Sequence, residues 1–403
     1  MSRTLDERTI AIVKATVPAL EAHGLEIVRE MYSRMFQNAM IRDLFNQSHH
    51  GEAGSQPRAL AGAILAYAAN IDNLGALAPA VERIAQKHVG LQILPEHYPY
   101  VAEALLGAIK AILGDAATDE IMEAWGNAYW FLADVLIARE GKIYDELGAE
   151  EGGWRGWRDF VVESVHKESE IISSFILRPH DGGKVIRHKP GQYLTFWLEI
   201  PDHAPIKRNY SISGAPNGET YRISVKRESH GLATNWLHDH ATPGTVLKVS
   251  PPAGEFFLAE QPKNPVVLLS GGVGLTPMVA MLETIAEQHP DLTAHYVHGT
   301  HNGTTHAMAT HVQALAGKGD NLKVTTFYEA PASEDREGQH FDKAGLIDAE
   351  WLKTNTPIDS ADYYLCGPRG FLRALVTGLS LAGVPASRIH YEFFGPADEL
   401  MAA

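Results

Sequence analysis

Val266-Val267-Leu268-Leu269-Ser270-Gly271-Gly272-Val273-Gly274-Leu275-Thr276-Pro277 decides how the C-terminal part of the chain folds. Its first five residues form a short apolar run, the pattern of a strand buried on both faces. Beyond the glycines, Met278, Met281, Leu282 and Ile285 recur at helical spacing. Strand, glycine turn and helix together present a helix N-terminus to an anion, a pyrophosphate above all. Glycines keep side chains from screening the backbone N–H groups, and Pro277 suits a first helical turn after a Thr276 cap. The usual dinucleotide pattern has a third glycine where Pro277 stands.

Downstream, apolar runs at residues 293–297, 323–327 and 362–365 alternate with helical patterns, which predicts a parallel sheet. The last run ends in Cys366-Gly367-Pro368, and an aromatic tail follows, Tyr391-Glu392-Phe393-Phe394-Gly395-Pro396. Upstream, short strand patterns cover residues 159–165, 171–177, 193–200, 210–212, 221–226 and 246–250. Turn residues such as Asn217-Gly218 and Pro243-Gly244 separate them, which predicts an antiparallel barrel. Arg208-Asn209-Tyr210-Ser211 lies in that stretch. An arginine and an aromatic on a strand ahead of the glycine turn suggest two nucleotides side by side, a flavin and a nicotinamide.

Before about residue 150 the pattern is helical throughout. Stripes run through Val28, Tyr32, Met35 and Phe36, and through Leu60, Ile64, Tyr67 and Ile71. Others run through Leu77, Val81, Ile84 and His88, and through Tyr98, Val101, Leu105 and Ile109. A long last helix starts at a Thr118 cap and carries Trp125, Tyr129, Leu136 and Glu140. His88 lies on an apolar stripe, as an iron ligand would. Glu140 sits on a buried face, where a carboxylate without partners is costly, and Tyr98 opens the following helix. Those three read as one hydrogen-bonded network. Tyr32 and Gln56 offer hydrogen-bond donors from another stripe, and Phe45 offers a wedge.

Composition bounds the rest. With 403 residues the chain is long for one core, and three domains are expected: all-α over 1–147, a β-barrel over 153–262 and α/β over 263–403. A formal charge of −15 argues against a nucleic-acid partner. The single cysteine, Cys366, precludes an intramolecular disulfide and fits a reducing compartment. Without an apolar signal core or a membrane-length run, a cytoplasmic location is expected.

Residues 153 to 403 resemble the ferredoxin-NADP reductase superfamily, through Arg208-Asn209-Tyr210-Ser211, Gly271 to Pro277, and Cys366-Gly367-Pro368 in that order. The resemblance implies that Tyr193, Arg208, Asn209, Tyr210 and Ser211 hold FAD, with Thr234 and Asn235 at a second phosphate. It implies that Gly271, Gly272, Val273, Gly274, Leu275, Thr276 and Pro277 take the pyrophosphate of NADH or NADPH. Cys366, Gly367 and Pro368 would then lie near the nicotinamide, and Phe393, Phe394, Gly395 and Pro396 would cover the flavin.

Residues 1 to about 147 resemble the globin of flavohaemoglobins, through Met31 to Phe36, Lys87-His88, Pro95 to Pro99 and Arg139 to Tyr144. That resemblance implies haem b on His88, with Tyr98 and Glu140 as its relay and Tyr32, Gln56, Leu60 and Phe45 around the haem pocket. Lys87 and Glu392 match positions tied to contact between the haem pocket and the flavin, and Ser211 and Glu392 would exchange protons near the flavin. Asn38-Ala39-Met40-Ile41 departs from the family's usual turn. The segment between Phe45 and Leu60 carries about one extra residue, so the register of Gln56 depends on its position. The activity implied is nitric oxide dioxygenation of NO and O2, without an obligatory protein partner. Alternatives are an oxygen-binding globin with a self-reducing flavin module, or a flavin reductase for a separate electron carrier. An apolar or lipid ligand in the haem pocket and the choice of nicotinamide stay open.

Overall fold

The computed structural model describes residues 4–45, 56–319 and 321–395. They fall into two compact units. Residues up to Ala149, with Pro201–Lys207, form one, and Glu150–Ile200 with Arg208–Gly395 form the other.

The first unit is helical: α1 (Glu7–Ala15), α2 (Val17–Met35), α3 (Ala39–Arg42), α4 (Gln56–Ala69), α5 (Ala78–Leu91), α6 (Tyr98–Leu113) and α7 (Asp119–Ala149). Thr118 caps α7 as its sequence predicts, its hydroxyl accepting from the Ile121 N–H at 3.3 Å. Helix α2 packs on α4 and α6, and α5 packs on α7. Ile27, Val28, Ile41, Ile71 and Ile109 are almost wholly buried in their shared core. Each such side chain contributes roughly 1.5–3 kcal/mol relative to exposure. Leu60, Ile64, Val81, Ile84 and Val101 pack against the same core but stay half-buried. A helical stripe that keeps apolar surface open suits a bulky apolar group seated among these helices.

The second unit holds two sheets. Strands β1 (Arg158–Lys167), β2 (Ile172–Pro179), β3 (Tyr193–Leu198), β4 (Ile206–Ser211), β5 (Tyr221–Lys226) and β6 (Val246–Val249) form an antiparallel sheet ordered β4-β3-β6-β1-β2-β5. Its edges meet: Ile212, just past β4, bridges Ile223 on β5, and the Ser213 N–H donates to Arg222 O at 2.8 Å. Joining its edges removes the exposed strand and makes the sheet a barrel. Helix α8 (Leu232–His240) follows β5.

Strands β7 (Val266–Gly271), β8 (Ala294–Thr300), β9 (Leu322–Tyr328), β10 (Lys343–Ala344), β11 (Asp362–Cys366) and β12 (Ile389–Glu392) are all parallel, ordered β10-β9-β8-β7-β11-β12. Helices α9 (Leu275–Gln288) and α10 (Ala309–Ala316) cover one face, and α11 (Ala349–Asn355) and α12 (Arg369–Leu381) the other. Strand order reverses between β7 and β11, and ligands of such sheets bind at that switch point. Both the glycine turn and the Cys366-Gly367-Pro368 turn leave the sheet there.

Two local expectations need correction. Thr276 is not a cap: Gly272–Gly274 is a 3-10 turn that runs straight into α9 at Leu275. The Thr276 hydroxyl donates back to Val273 O at 3.1 Å instead. The aromatic tail begins as a strand, since β12 pairs with β11 from Tyr363↔Ile389 to Cys366↔Glu392. A run of only four residues carries too little periodicity to be read as strand.

Candidate functional site

In the helical unit the arrangement centres on His88. Its Nδ1–H donates to Glu140 Oε1 at 2.7 Å, and the Tyr98 hydroxyl donates to the same oxygen at 2.7 Å. The hydroxyl also lies 3.2 Å from Nδ1. An ionised carboxylate only accepts, so the imidazole proton is assigned to Nδ1, and Nε2 keeps its lone pair for a metal. Glu140 is 2% exposed, and these two donors satisfy its buried oxygen. Burial, then the Glu140 charge, pushes the Tyr98 phenol up, which keeps it a donor. The Tyr129 hydroxyl donates to Tyr98 O at 2.7 Å and steadies the start of α6. Arg139, beside Glu140, makes a two-pronged pair with Glu82 on α5 at 2.6 and 2.9 Å. That pair fixes the register of α5 against α7. Glu82, Tyr129 and Arg139 carry no sequence signal of these roles, because each looks like an ordinary helical residue.

Tyr32 is 7% exposed and packs with Phe36 (ring centroids 5.4 Å) and edge-on with Phe45 (5.9 Å). Burial raises its pKa, so it too remains a donor. Gln56 opens α4 and Leu60 lies one turn further, both half-buried. Residues 46–55, part of the segment expected to carry an extra residue, lie outside the described residues. Lys87 is exposed beside His88. An imidazole oriented by a buried carboxylate, with half-buried apolar stripes in the same core, fits a haem.

In the second unit Arg208 and Tyr210 alternate onto one face of β4. Tyr210 packs edge-on against Phe196 at 5.6 Å, and its buried hydroxyl has no hydrogen-bond partner among the described residues. A buried phenol without a partner is costly, and it marks a place for a polar ligand atom. Burial lowers the Arg208 pKa. Asn209 accepts from the Thr195 hydroxyl at 2.9 Å, which pins β4 to β3. Ser211 and Tyr193 are buried, and a Cβ on Gly254 would stand 3.0 Å from the Tyr193 ring. Thr234 and Asn235, in the first turn of α8, bond to Gly231 O and Glu228 O and brace the loop before it. These residues fit a flavin nucleotide.

At the switch point the glycines divide their work. A Cβ on Gly274 would lie 2.1 Å from Cys366 O, so this glycine is required for backbone packing. Gly272 has φ +53° and nothing within 4 Å of its Cβ position, which leaves room for a ligand against the turn. Gly271 and Gly367 pack on each other. Val273 is half-buried, and Leu275, Thr276 and Pro277 are buried in the first turn of α9. Cys366 is wholly buried, its thiol pushed up by burial and by Glu392, its neighbour across the β11–β12 pair. Glu392 also acts on Tyr193. Pro368 precedes α12. Phe393 packs on the sheet core, Phe394 is exposed, and the Gly395 backbone lies against Phe393. Pro396 lies outside the described residues.

Fold and site together define a class: a globin joined to an oxidoreductase of flavin and nicotinamide nucleotides. Three family profiles match accordingly, Globin over residues 29–136, Oxidoreductase FAD-binding domain over 159–258 and Oxidoreductase NAD-binding domain over 268–377. The flavohemoprotein of Xylella fastidiosa is 54% identical over 403 residues, covering 100% of both chains. The chain belongs to the flavohemoprotein family. A flavohemoglobin from Malassezia yamatoensis, solved with bound FAD and heme, is 26% identical, covers 97% of this chain and 100% of its own, and superposes with a TM-score of 0.86. The flavohem-like FAD/NAD binding domain of nitric oxide dioxygenase from Vibrio cholerae is 37% identical, covers 60% of this chain and 100% of its own, with a TM-score of 0.55. The protein is therefore an NAD(P)H-dependent oxidoreductase with haem and FAD as cofactors. Among the described residues no helix is long and apolar enough to cross a membrane.

Proposed function

We propose that the chain is a nitric oxide dioxygenase. Two NO and two O2, with the two electrons of one NAD(P)H, give two nitrates, NAD(P)+ and one proton. Residues 1–147 serve the haem, 153–262 the FAD and 263–403 the nicotinamide nucleotide. When bound, the FAD supplies hydride acceptance and one-electron delivery, and the haem supplies the iron at which O2 and NO react. The observation that carries this reading is the bond from His88 to the buried Glu140 carboxylate. Such a partner makes an imidazole a stronger electron donor, the direction that favours oxygen chemistry over storage.

The other roles follow from chemistry and position. His88 Nε2 would ligate the haem iron, and Tyr98 steadies Glu140 through its hydroxyl. Tyr32 would offer its O–H to a ligand in the haem pocket, with Gln56 as a second donor and Leu60 and Phe45 as apolar walls. Arg208 pairs with the FAD diphosphate, Tyr193, Asn209 and Tyr210 seat the flavin, and Thr234 and Asn235 hold its second phosphate. The turn from Gly271 to Pro277 takes the nicotinamide nucleotide's pyrophosphate, with Cys366, Gly367 and Pro368 at the nicotinamide. Ser211 and Glu392 would exchange the proton at the flavin, Phe393, Phe394 and Gly395 would cover it, and Lys87, exposed beside His88, would border the haem pocket. The Vibrio cholerae relative, whose name carries this activity, supports the reading. The test mixes the air-equilibrated, NADH-supplied protein with NO and measures nitrate against NADH consumed. Two nitrates per NADH are expected. NADH oxidation without nitrate would leave an oxygen-binding globin with a self-reducing flavin.

A further inference from the structure

Glu283 is an acid in the buried run of α9, with a side chain only 10% exposed. Its carboxylate gathers three donors from three elements. Oε1 accepts from Arg222 on β5 and from His311 Nε2 on α10, the latter at 2.6 Å. Oε2 accepts from the Ala215 backbone N–H at 2.7 Å. Arg222 in turn donates to the carbonyl of Ser213 and lies 3.4 Å from the Ser213 hydroxyl. Ser213 and Ala215 follow directly on the strand carrying Arg208, Tyr210 and Ser211. At its other end, α9 begins at the glycine turn.

One buried carboxylate thus ties the segment after the flavin-side strand to the helix that grows out of the nicotinamide-side turn. The span from Leu275 to Glu283 is about 12 Å of continuous helix at ~1.5 Å per residue. A helix of that length moves as a rod, so a shift at Glu283 is transmitted to the turn. Hydride transfer is steep in donor–acceptor distance, and misplacement by about 1 Å costs on the order of 100-fold.

Resting on the NAD(P)H-oxidoreductase reading, we infer that Glu283, with Arg222, is a positioning residue for hydride transfer, setting the nicotinamide-side turn against the flavin-side strand. It touches neither ring and acts through α9 and the Ser213–Ala215 segment. Sequence could have flagged it as the sole acid in the apolar run from Leu275 to Ile285.

The test is anaerobic stopped-flow reduction of the flavin in the full holoprotein, with NADH as the probe. Glu283→Gln removes the charge at nearly constant shape. The double variant Arg222→Met with Glu283→Gln also removes the guanidinium that would otherwise be left buried, guarding against misfolding. In both, the limiting rate of flavin reduction is expected to fall roughly 10- to 100-fold. The NADH dissociation constant should stay within about threefold and FAD content should be unchanged, with a primary deuterium isotope effect on the limiting rate. A limiting rate within twofold of the unmodified chain overturns the inference. So does a loss that only follows FAD content or melting temperature. If NADH fails to reduce the flavin of the unmodified chain, the oxidoreductase reading itself is wrong, and the positioning role with it.

Discussion

The pair of His88 and the buried Glu140 makes the sharpest predictions at the scale of single residues. Glu140→Gln keeps the shape and removes the charge that polarises Nδ1. Partners of this kind typically carry 10- to 100-fold in activity. Nitrate formation should fall by about that factor with haem retained, and resonance Raman should show a lower iron–histidine stretching frequency. An unchanged frequency would remove Glu140 from the electronic account. His88→Ala should abolish haem retention while leaving FAD bound; normal haem content there would show that the ligand lies elsewhere. His88, Tyr98 and Glu140 were legible in the sequence because a polar residue on an apolar stripe needs a partner. Their clamp, Glu82 with Arg139, was not, since an exposed ion pair and a structural one look alike on a helix.

At the scale of elements, the strand–turn–helix from Val266 onward is the feature the sequence stated most openly. It also misled in one respect. The glycines look interchangeable as a phosphate cradle, yet Gly274 serves packing against the Cys366 turn, whereas Gly272 faces open space. Two substitutions separate these roles. Gly274→Ala should lower the melting temperature, with overpacking of about 1–3 kcal/mol. Gly272→Ala should cost only about 1–2 kcal/mol for its left-handed backbone, and weaken NADH binding by obstructing the turn. Equal effects on both quantities in the two variants would contradict that division. Strands β10 and β12 were not legible because two and four residues cannot display a period. The closure of the barrel at Ile212 and Ile223 depends on long-range pairing that no local pattern encodes.

For the whole molecule, acid should be the weak side of the fold. Burial away from water holds His188, His295 and His306 down to about 4. An unfolded histidine takes up its proton near ~6.5, so between about 4 and 6.5 the unfolded chain binds more protons than the native one. Stability is then complete above ~6.5 and is lost as pH falls toward 4. His188, wholly enclosed, should account for about 2 kcal/mol between pH 7 and 5. Denaturant midpoints across that range should flatten by up to one proton in His188→Gln; an unchanged slope would show that His188 does not carry it.

The division of labour across the chain was read from its two ends, His88 in the helical part and the glycine turn in the sheets. On the proposed function, a hydride delivered to the sheet unit ends as reducing power at the iron held by His88. The direct measurement is the absorbance of the purified chain after NADH is added without air, followed at several protein concentrations. The flavin is expected to bleach first and the haem bands then to shift to the reduced form, at a rate independent of protein concentration. A flavin that bleaches while the haem stays oxidised, or a haem step that quickens in proportion to protein concentration, would contradict it.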